Sequence, residues 1–492
     1  MKYQPTIGLE IHAQLKTKTK MFCGCLNNPE EKQPNLNVCP ICMGHPGVLP
    51  VINKKAVESV IKAGLALTCK ITEETWFERK NYFYPDLPKG YQISQNEKPL
   101  CKNGKLKMNN HDIKINNIHL EEDTGKLIHS EDDNCSLVDF NRAGIPLMEL
   151  ATEPDIHSAA GAREFCEELR LILRYLGISD ADMEKGEMRC EANISLGKKE
   201  GELGTKVEIK NLNSFKAVEK AIDYEIKRQT ELLESGEKII HETRGWNDNK
   251  QKTFSQRTKE FAEDYRYFSE PDLPPLKISK KDIERIKTEI PELPANRRIR
   301  FEKEYKIPKD DIEIFTNCKT LGNYFEKVIS ELREWEKTWR TTNDKRFYKL
   351  TKLTANYLIT ELKKLLHTLE ETGVENLKIT PENFAEFITI IEQGKISSST
   401  AQAVLKEMFG TGADPSNIIE EKDLSQVSDE SELKKIIEKV IKDNPRPVKN
   451  YQEGKAEALQ FLVGQVMRQS KGKANPQIAA KLLTKALTSM DR

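Results

Sequence analysis

From residue 6 to residue 15 the chain alternates strictly. Ile7, Leu9, Ile11, Ala13 and Leu15 fall on one side; Gly8, Glu10, His12 and Gln14 fall on the other. A period of two is the signature of a half-buried strand. The pattern returns at 188–195, where Met188, Cys190, Ala192 and Ile194 oppose Arg189, Glu191, Asn193 and Ser195, and briefly at 207–210. Elsewhere the period becomes helical. Phe165, Leu169, Ile172 and Leu176 predict a helix over about 154–177. Val218, Ile222, Ile226 and Leu233 predict another over 214–236. Strands mixed with helices in this way give an α+β fold with a largely antiparallel sheet.

Prolines at 271, 274, 275, 291 and 294 interrupt regular structure and mark a boundary. Beyond it the pattern is helical. The expected organisation is a mixed domain over 1–293, an all-α domain over 294–405 and a small all-α tail over 406–492. A polar stretch at about 410–432 reads as loop, and residues 397–400 (SSST) read as a helix cap. In the tail, Ala456, Leu459, Val463 and Val466 form a helix stripe leading to Arg468, Lys471 and Lys473, and a second helix is expected over 477–487. From 451 to 492, five Lys and two Arg stand against three acids. A glycine-broken basic turn of this kind suits phosphate-backbone contact, and a solvated helical hairpin accounts for it equally well.

Composition narrows the classes. Across 492 residues, 78 basic side chains balance 78 acidic ones, which excludes a wholesale polycation and leaves a local basic surface open. With 37% hydrophobic and 32% charged residues the chain reads as soluble and globular. No run of ~18 apolar residues predicts a membrane span, and the first residues lack the apolar core of a signal peptide. The cytoplasm is the expected compartment.

Several groupings could carry chemistry. Cys23, Cys25, Cys39 and Cys42 form a C-x-C-x13-C-x2-C array, whose paired thiols match tetrahedral, structural zinc. Glu10 and His12 share the polar face of one strand, either as a solvated face or as a site for a divalent cation or a proton. Glu121, Glu122 and Asp123 follow His119 and precede a glycine; they are an acidic turn or a cation site. Glu184 precedes the second alternating strand, and Glu208 and Lys210 share the polar face of the third. Lys80 and Lys89 flank a stiff aromatic and proline-rich loop whose rings Tyr82, Phe83 and Tyr84 read most simply as core packing. Acids with nearby lysines suggest a magnesium–phosphate pocket. There is no Walker loop and no G-x-S-x-G elbow.

Taken in order, residues 7–12 (IGLEIH), 79–86 (RKNYFYPD), 120–123 (LEED), 139–147 (DFNRAGIPL), 190–195 (CEANIS), 264–268 (DYRYF) and 461–467 (FLVGQVM) resemble the GatB family, the B chains of the tRNA-dependent GatCAB amidotransferases. The likeness spans essentially the whole chain. It implies a catalytic cradle domain, a helical domain and a YqeY-like tail. It also implies an ATP-dependent carbon–nitrogen ligase using glutamine as amido donor. The partners it implies are the amidase chain (GatA) and the small chain (GatC) of the heterotrimer, with misacylated tRNA as substrate. Carried over by position, it implies Glu10, His12 and Glu122 at Mg2+, with Glu121 or Glu122 as the direct ligand. It places Lys80 and Lys89 near phosphates, and Glu184, Glu208 and Lys210 along the pocket or the ammonia route. The cysteine quartet occurs in only part of the family, so zinc rests on spacing alone. Whether Glu-tRNA(Gln), Asp-tRNA(Asn) or both are used is not read from these residues. The competing expectation is a non-catalytic tRNA-binding scaffold, which would need no converging carboxylates.

Overall fold

The fold is a computed structural model, which describes residues 3–108, 112–130, 135–198, 202–258, 264–338, 344–366, 373–374, 376–424, 430–453, 455–470, 474 and 476–489. It divides into two compact units, 1–294 and 295–492.

The first unit is α+β. Its strands are β1 (Gln4–Gln14), β2 (Lys70–Ile71), β3 (Glu74–Thr75), β4 (Glu78–Asn81), β5 (Tyr91–Ser94), β6 (Cys101–Lys107), β7 (Asp112–Glu122) and β8 (Lys126–Ser130). They continue as β9 (Cys135–Asp139), β10 (Pro146–Thr152), β11 (Met188–Gly197), β12 (Val207–Leu212), β13 (Glu242–Asn247), β14 (Lys252–Thr258), β15 (Phe268–Ser269) and β16 (Leu276–Lys277). Nine of them form one sheet in the order β14-β13-β12-β11-β1-β10-β7-β6-β2, and a small sheet β15-β4-β5 stands beside it. The large sheet is antiparallel except where β12 meets β13. The N-terminal strand is therefore central, clasped by β10 and β11.

Helices α1 (Lys54–Ala66), α2 (Ala159–Tyr175) and α3 (Phe215–Glu234) cover one face of this sheet, and α4 (Lys280–Thr288) packs on α1. Ile7, Leu9 and Ile11 of β1 point into that core with Phe165, Leu169, Val218 and Ile222. The opposite face carries the polar half of each alternating strand. Helix α2 begins five residues later than the periodicity suggests, because Ser158 caps it by accepting from the Gly161 N–H. Ser214 caps α3 in the same way. Residues 79–81, at the start of the stretch read as a stiff loop, lie in strand β4, and Phe83 and Tyr84 are exposed rather than in the core.

The second unit is helical and holds two cores. Phe301, Phe315, Phe325, Phe384 and Phe387 anchor the first. Leu433, Ile437, Leu462, Val466 and Leu483 anchor the second. The stretch read as loop contains the helix Pro415–Glu421, capped by Asp414, and its Ile418 and Ile419 belong to the first core. The bundle thus runs past residue 405. Ser397 is an N-cap, accepting from the Thr400 N–H. Among the described residues the tail helices are Glu430–Asp443, Pro445–Gln452, Glu457–Gln469 and Pro476–Ser489. Among the described residues no helix is long and apolar enough to cross a membrane.

Candidate functional site

Strand pairing assembles the site. On the polar face His12 of β1 lies opposite Glu149 of β10, and Glu149 lies opposite His119 of β7. Glu149 reaches Nε2 of both imidazoles at 3.2 Å. Glu121 closes the group, 3.6 Å from His12 and 3.8 Å from His119, and Glu10 stands 3.9 Å from His12. Glu10, His12 and Glu149 offer ligand atoms within 4.8 Å of one another, as do His119, Glu121 and Glu149. Each set offers two carboxylates and one imidazole, donors that a divalent cation accepts.

The charges are mutually dependent. Burial works against the His119 cation, but Glu149 and Glu121 outweigh it and push the imidazole up to about 10. Burial also opposes ionisation of Glu149, and the two imidazoles hold it well below the usual carboxylate range. Burial, then the charge of Glu149, pushes Glu10 up to about 7, so this carboxyl lacks enough positive charge of its own. A cation bound there would supply that charge.

Two lysines border the cluster. Lys80 of β4 lies 5.0 Å from the centre of the Tyr265 ring, and Glu121, Glu149 and Glu10 keep it charged despite its burial. Lys210 of β12 pairs with Glu191 at 2.7 Å and stands 3.7 Å from Glu208. A bulge sets that lysine. Between Ile209 and Leu212 two residues oppose the single Glu191, and Asn211 takes a left-handed backbone at φ 66° to allow it. Thr243 Oγ1 donates to Glu208 at 2.7 Å. Beyond His12, Gln14 and Arg189 converge on buried Asp123 at 2.9 and 2.8 Å.

The structure separates residues that the sequence grouped. Glu122 points to the face opposite Glu121 because neighbours on a strand alternate. It is not beside Glu10 and His12; it accepts from Lys89 at 2.8 Å and from the Ile93 N–H at 3.0 Å. Lys89 lies with it, near the cysteine quartet, and not with Lys80. Glu184 is exposed in the turn before β11, where its backbone N–H donates to Asp182, and it joins neither cation-capable group. Glu149, Arg189 and Tyr265 were not singled out as site residues, and His119 and Asp123 entered only as members of the 119–123 acidic group. Glu149 is the one acid in the apolar run 146–152, a signal visible only once β10 is known to pair with β1.

The four thiols of Cys23, Cys25, Cys39 and Cys42 offer sulfurs within 4.8 Å of one another. The Cys39 N–H donates to Cys42 Sγ at 3.2 Å, and the fully buried Lys20 donates to it at 3.8 Å. The Cys23 hydrogen bond, aided by Cys39 and Lys20 against burial, holds the Cys42 thiol down to about 5. This is a thiolate-forming, tetrahedral donor set. In the tail, Arg468 lies in the last turn of Glu457–Gln469, whereas Lys471 and Lys473 lie outside the described residues.

Residues 5–284 match the model of the GatB/GatE catalytic domain, and residues 340–487 match that of the GatB domain. The first unit is accordingly a catalytic domain of the GatB/GatE class. The chain is 49% identical over 494 residues to the B chain of the aspartyl/glutamyl-tRNA(Asn/Gln) amidotransferase of Persephonella marina, covering 99% of this chain and 100% of that one. It is 49% identical to the protein of the same name in Dehalococcoides mccartyi, covering 99% of each. It is 46% identical to the one in Caldanaerobacter subterraneus, covering 99% of this chain and 100% of that one. The chain belongs to the GatB family.

Proposed function

We propose that this chain is the carboxylate-activating component of an ATP- and glutamine-dependent amidotransferase acting on Glu-tRNA(Gln), Asp-tRNA(Asn) or both, in the cytoplasm. The supporting observation is the convergence of Glu10, His12, Glu121 and Glu149 from three strands beside Lys80. A scaffold that only held tRNA would gain nothing from such costly burial of like charges.

A carboxylate resists amidation because its leaving group would be oxide. In the proposed sequence one oxygen of the aminoacyl side-chain carboxylate attacks the γ-phosphorus of ATP and ADP leaves. Ammonia nitrogen then attacks the resulting acyl carbon, inorganic phosphate leaves and a proton is released. Glu10, His12 and Glu149 would hold Mg2+, which supplies positive charge for phosphate oxygens. Lys80, held charged by its acid neighbours, neutralises the transferring phosphoryl group. Lys210, with Glu191 and Glu208, lines the approach to Glu10. Lys89 and Glu122 form a separate polar pair behind it. Partner chains are an amidase that releases ammonia from glutamine and a small third protein. Structural zinc on the cysteine quartet braces the cradle unit, and the tail, with Arg468, Lys471 and Lys473, meets the tRNA backbone.

The test is the purified heterotrimer supplied with each misacylated tRNA, glutamine and ATP. Amidated tRNA should form and require ATP. E10Q and E149Q heterotrimers should lose it while glutamine hydrolysis continues. Wild-type yields from both variants would refute the site.

A further inference from the structure

A trough leads away from Glu10 along the N-terminal half of β1, enclosing about 700 Å3 of space open to solvent. Its floor is three cross-strand rows. Glu10 pairs with Glu191 in the first; Gly8 pairs with Asn193, and Asn193 with Glu208, in the second; Thr6 pairs with Ser195 in the third. Lys206, the residue before Val207 of β12, borders the trough level with that third row. The trough exists because β1 carries no side chain at Gly8 and β10 only a methyl group at Ala151, where the next row is filled by His12 and Glu149.

The rows have an ordered chemistry. The first lies against the cation-capable acids. One side-chain repeat away, about 6.7 Å along the strand, the Asn193 Oδ1 has no hydrogen-bond partner among the described residues. Its cross-strand neighbour Glu208 is an acceptor, so an amide whose nitrogen is turned to that carboxylate has its oxygen left to accept from a ligand in the trough that Asn193 lines. The third row offers the hydroxyls of Thr6 and Ser195, with the Lys206 ammonium at the same level. A ligand matching these levels has a carboxylate, then an N–H donor, then hydroxyl groups with a phosphate beside them. An aminoacyl ester at the end of an RNA strand has that sequence of groups: side-chain carboxylate, α-ammonium, ribose hydroxyl, phosphodiester.

We infer that the trough between β1, β10 and β11 receives the aminoacyl end of the substrate RNA, with Asn193 accepting from the α-ammonium group and Lys206 facing the terminal phosphodiester. The inference rests on the amidotransferase reading and extends it. It gives the site a means of telling a free amino acid ester from an acid whose amine is already blocked.

The experiment compares the heterotrimer on misacylated tRNA with a free α-amine and on the same tRNA N-acetylated. Wild type should favour the free amine by about 10- to 100-fold in kcat/KM, the range of a charge-assisted hydrogen bond. N193L should bring the two substrates within about threefold of each other, chiefly through KM. Gly8 gives a second arm: G8V fills the trough, while its Cβ meets Pro154 and Thr152 no closer than 3.9 Å, and should raise KM for aminoacyl-tRNA by about tenfold. Equal use of both substrates by wild type, retained discrimination in N193L, or a G8V effect on the KM for ATP alone would overturn the inference and leave the amidotransferase reading standing. Absence of any amidated tRNA from the wild-type heterotrimer would instead remove both.

Discussion

Glu121 and Glu122 are neighbours in sequence and lie on opposite faces of one sheet. Glu121 reaches His12 at 3.6 Å, and Glu122 accepts from Lys89 at 2.8 Å. The two substitutions should therefore fail in different ways. E121Q should weaken Mn2+ binding by about tenfold or more, measured by titration calorimetry on the heterotrimer. E122Q should leave Mn2+ affinity within about threefold and lower stability by about 2–3 kcal/mol, because it strands a mostly buried lysine.

Asp123 gives the fold an acid limb. Burial alone would raise its pKa, but Arg189, Arg142 and Gln14 hold it below the ordinary value of 3.8. A depressed carboxyl contributes stability that is present above its unfolded pKa and lost as pH falls through its folded one. The D123N protein should lose about 2 kcal/mol at neutral pH. Its stability should change less than wild type on acidification below about pH 4, which urea unfolding from neutral to strongly acidic pH will show.

The cysteine quartet should hold about one zinc per chain. Treating purified protein with a mercurial in the presence of a zinc-sensitive dye should release it, and C39S should abolish that signal and lower Tm. Metal-free protein with unchanged Tm would remove the structural role.

Thr243 is a direct test of the β12–β13 junction. T243V deprives the buried Glu208 of its 2.7 Å donor and should cost about 1–2 kcal/mol. T243S should restore most of it, because the hydroxyl is retained.

Deletion beyond residue 450 removes Arg468, Lys471 and Lys473 and should weaken tRNA binding with a shallower salt dependence, while zinc content stays unchanged. Filter binding at two salt concentrations measures both binding terms.

Local pattern revealed local structure. The alternation around Glu10 and His12 is β1, and the stripes around Phe165 and Val218 are α2 and α3. What it left dark is pairing. His12 meets Glu149, 137 residues away, only because β10 lies antiparallel to β1, and no periodicity within either strand reports that partnership. The same gap explains Glu122: acid composition suggested a shared site, whereas strand parity sends adjacent carboxylates apart. Arg189 was missed for a related reason, since an arginine on a polar face looks solvated until its distant carboxylate, here Asp123, is known.

The central place of β1 has a consequence for biogenesis. This strand leaves the ribosome before either of its partners, and its neighbour β11 is not complete until residue 197. At ~5–20 residues per second of synthesis, roughly 10–35 s elapse before both of its edges are covered. During that interval a strand bearing Ile7, Leu9 and Ile11 is a ready template for mispairing between nascent chains. Folding yield in the cell should therefore depend on how quickly the segment 146–197 follows it out, and slow codons there should raise aggregation more than slow codons after residue 295.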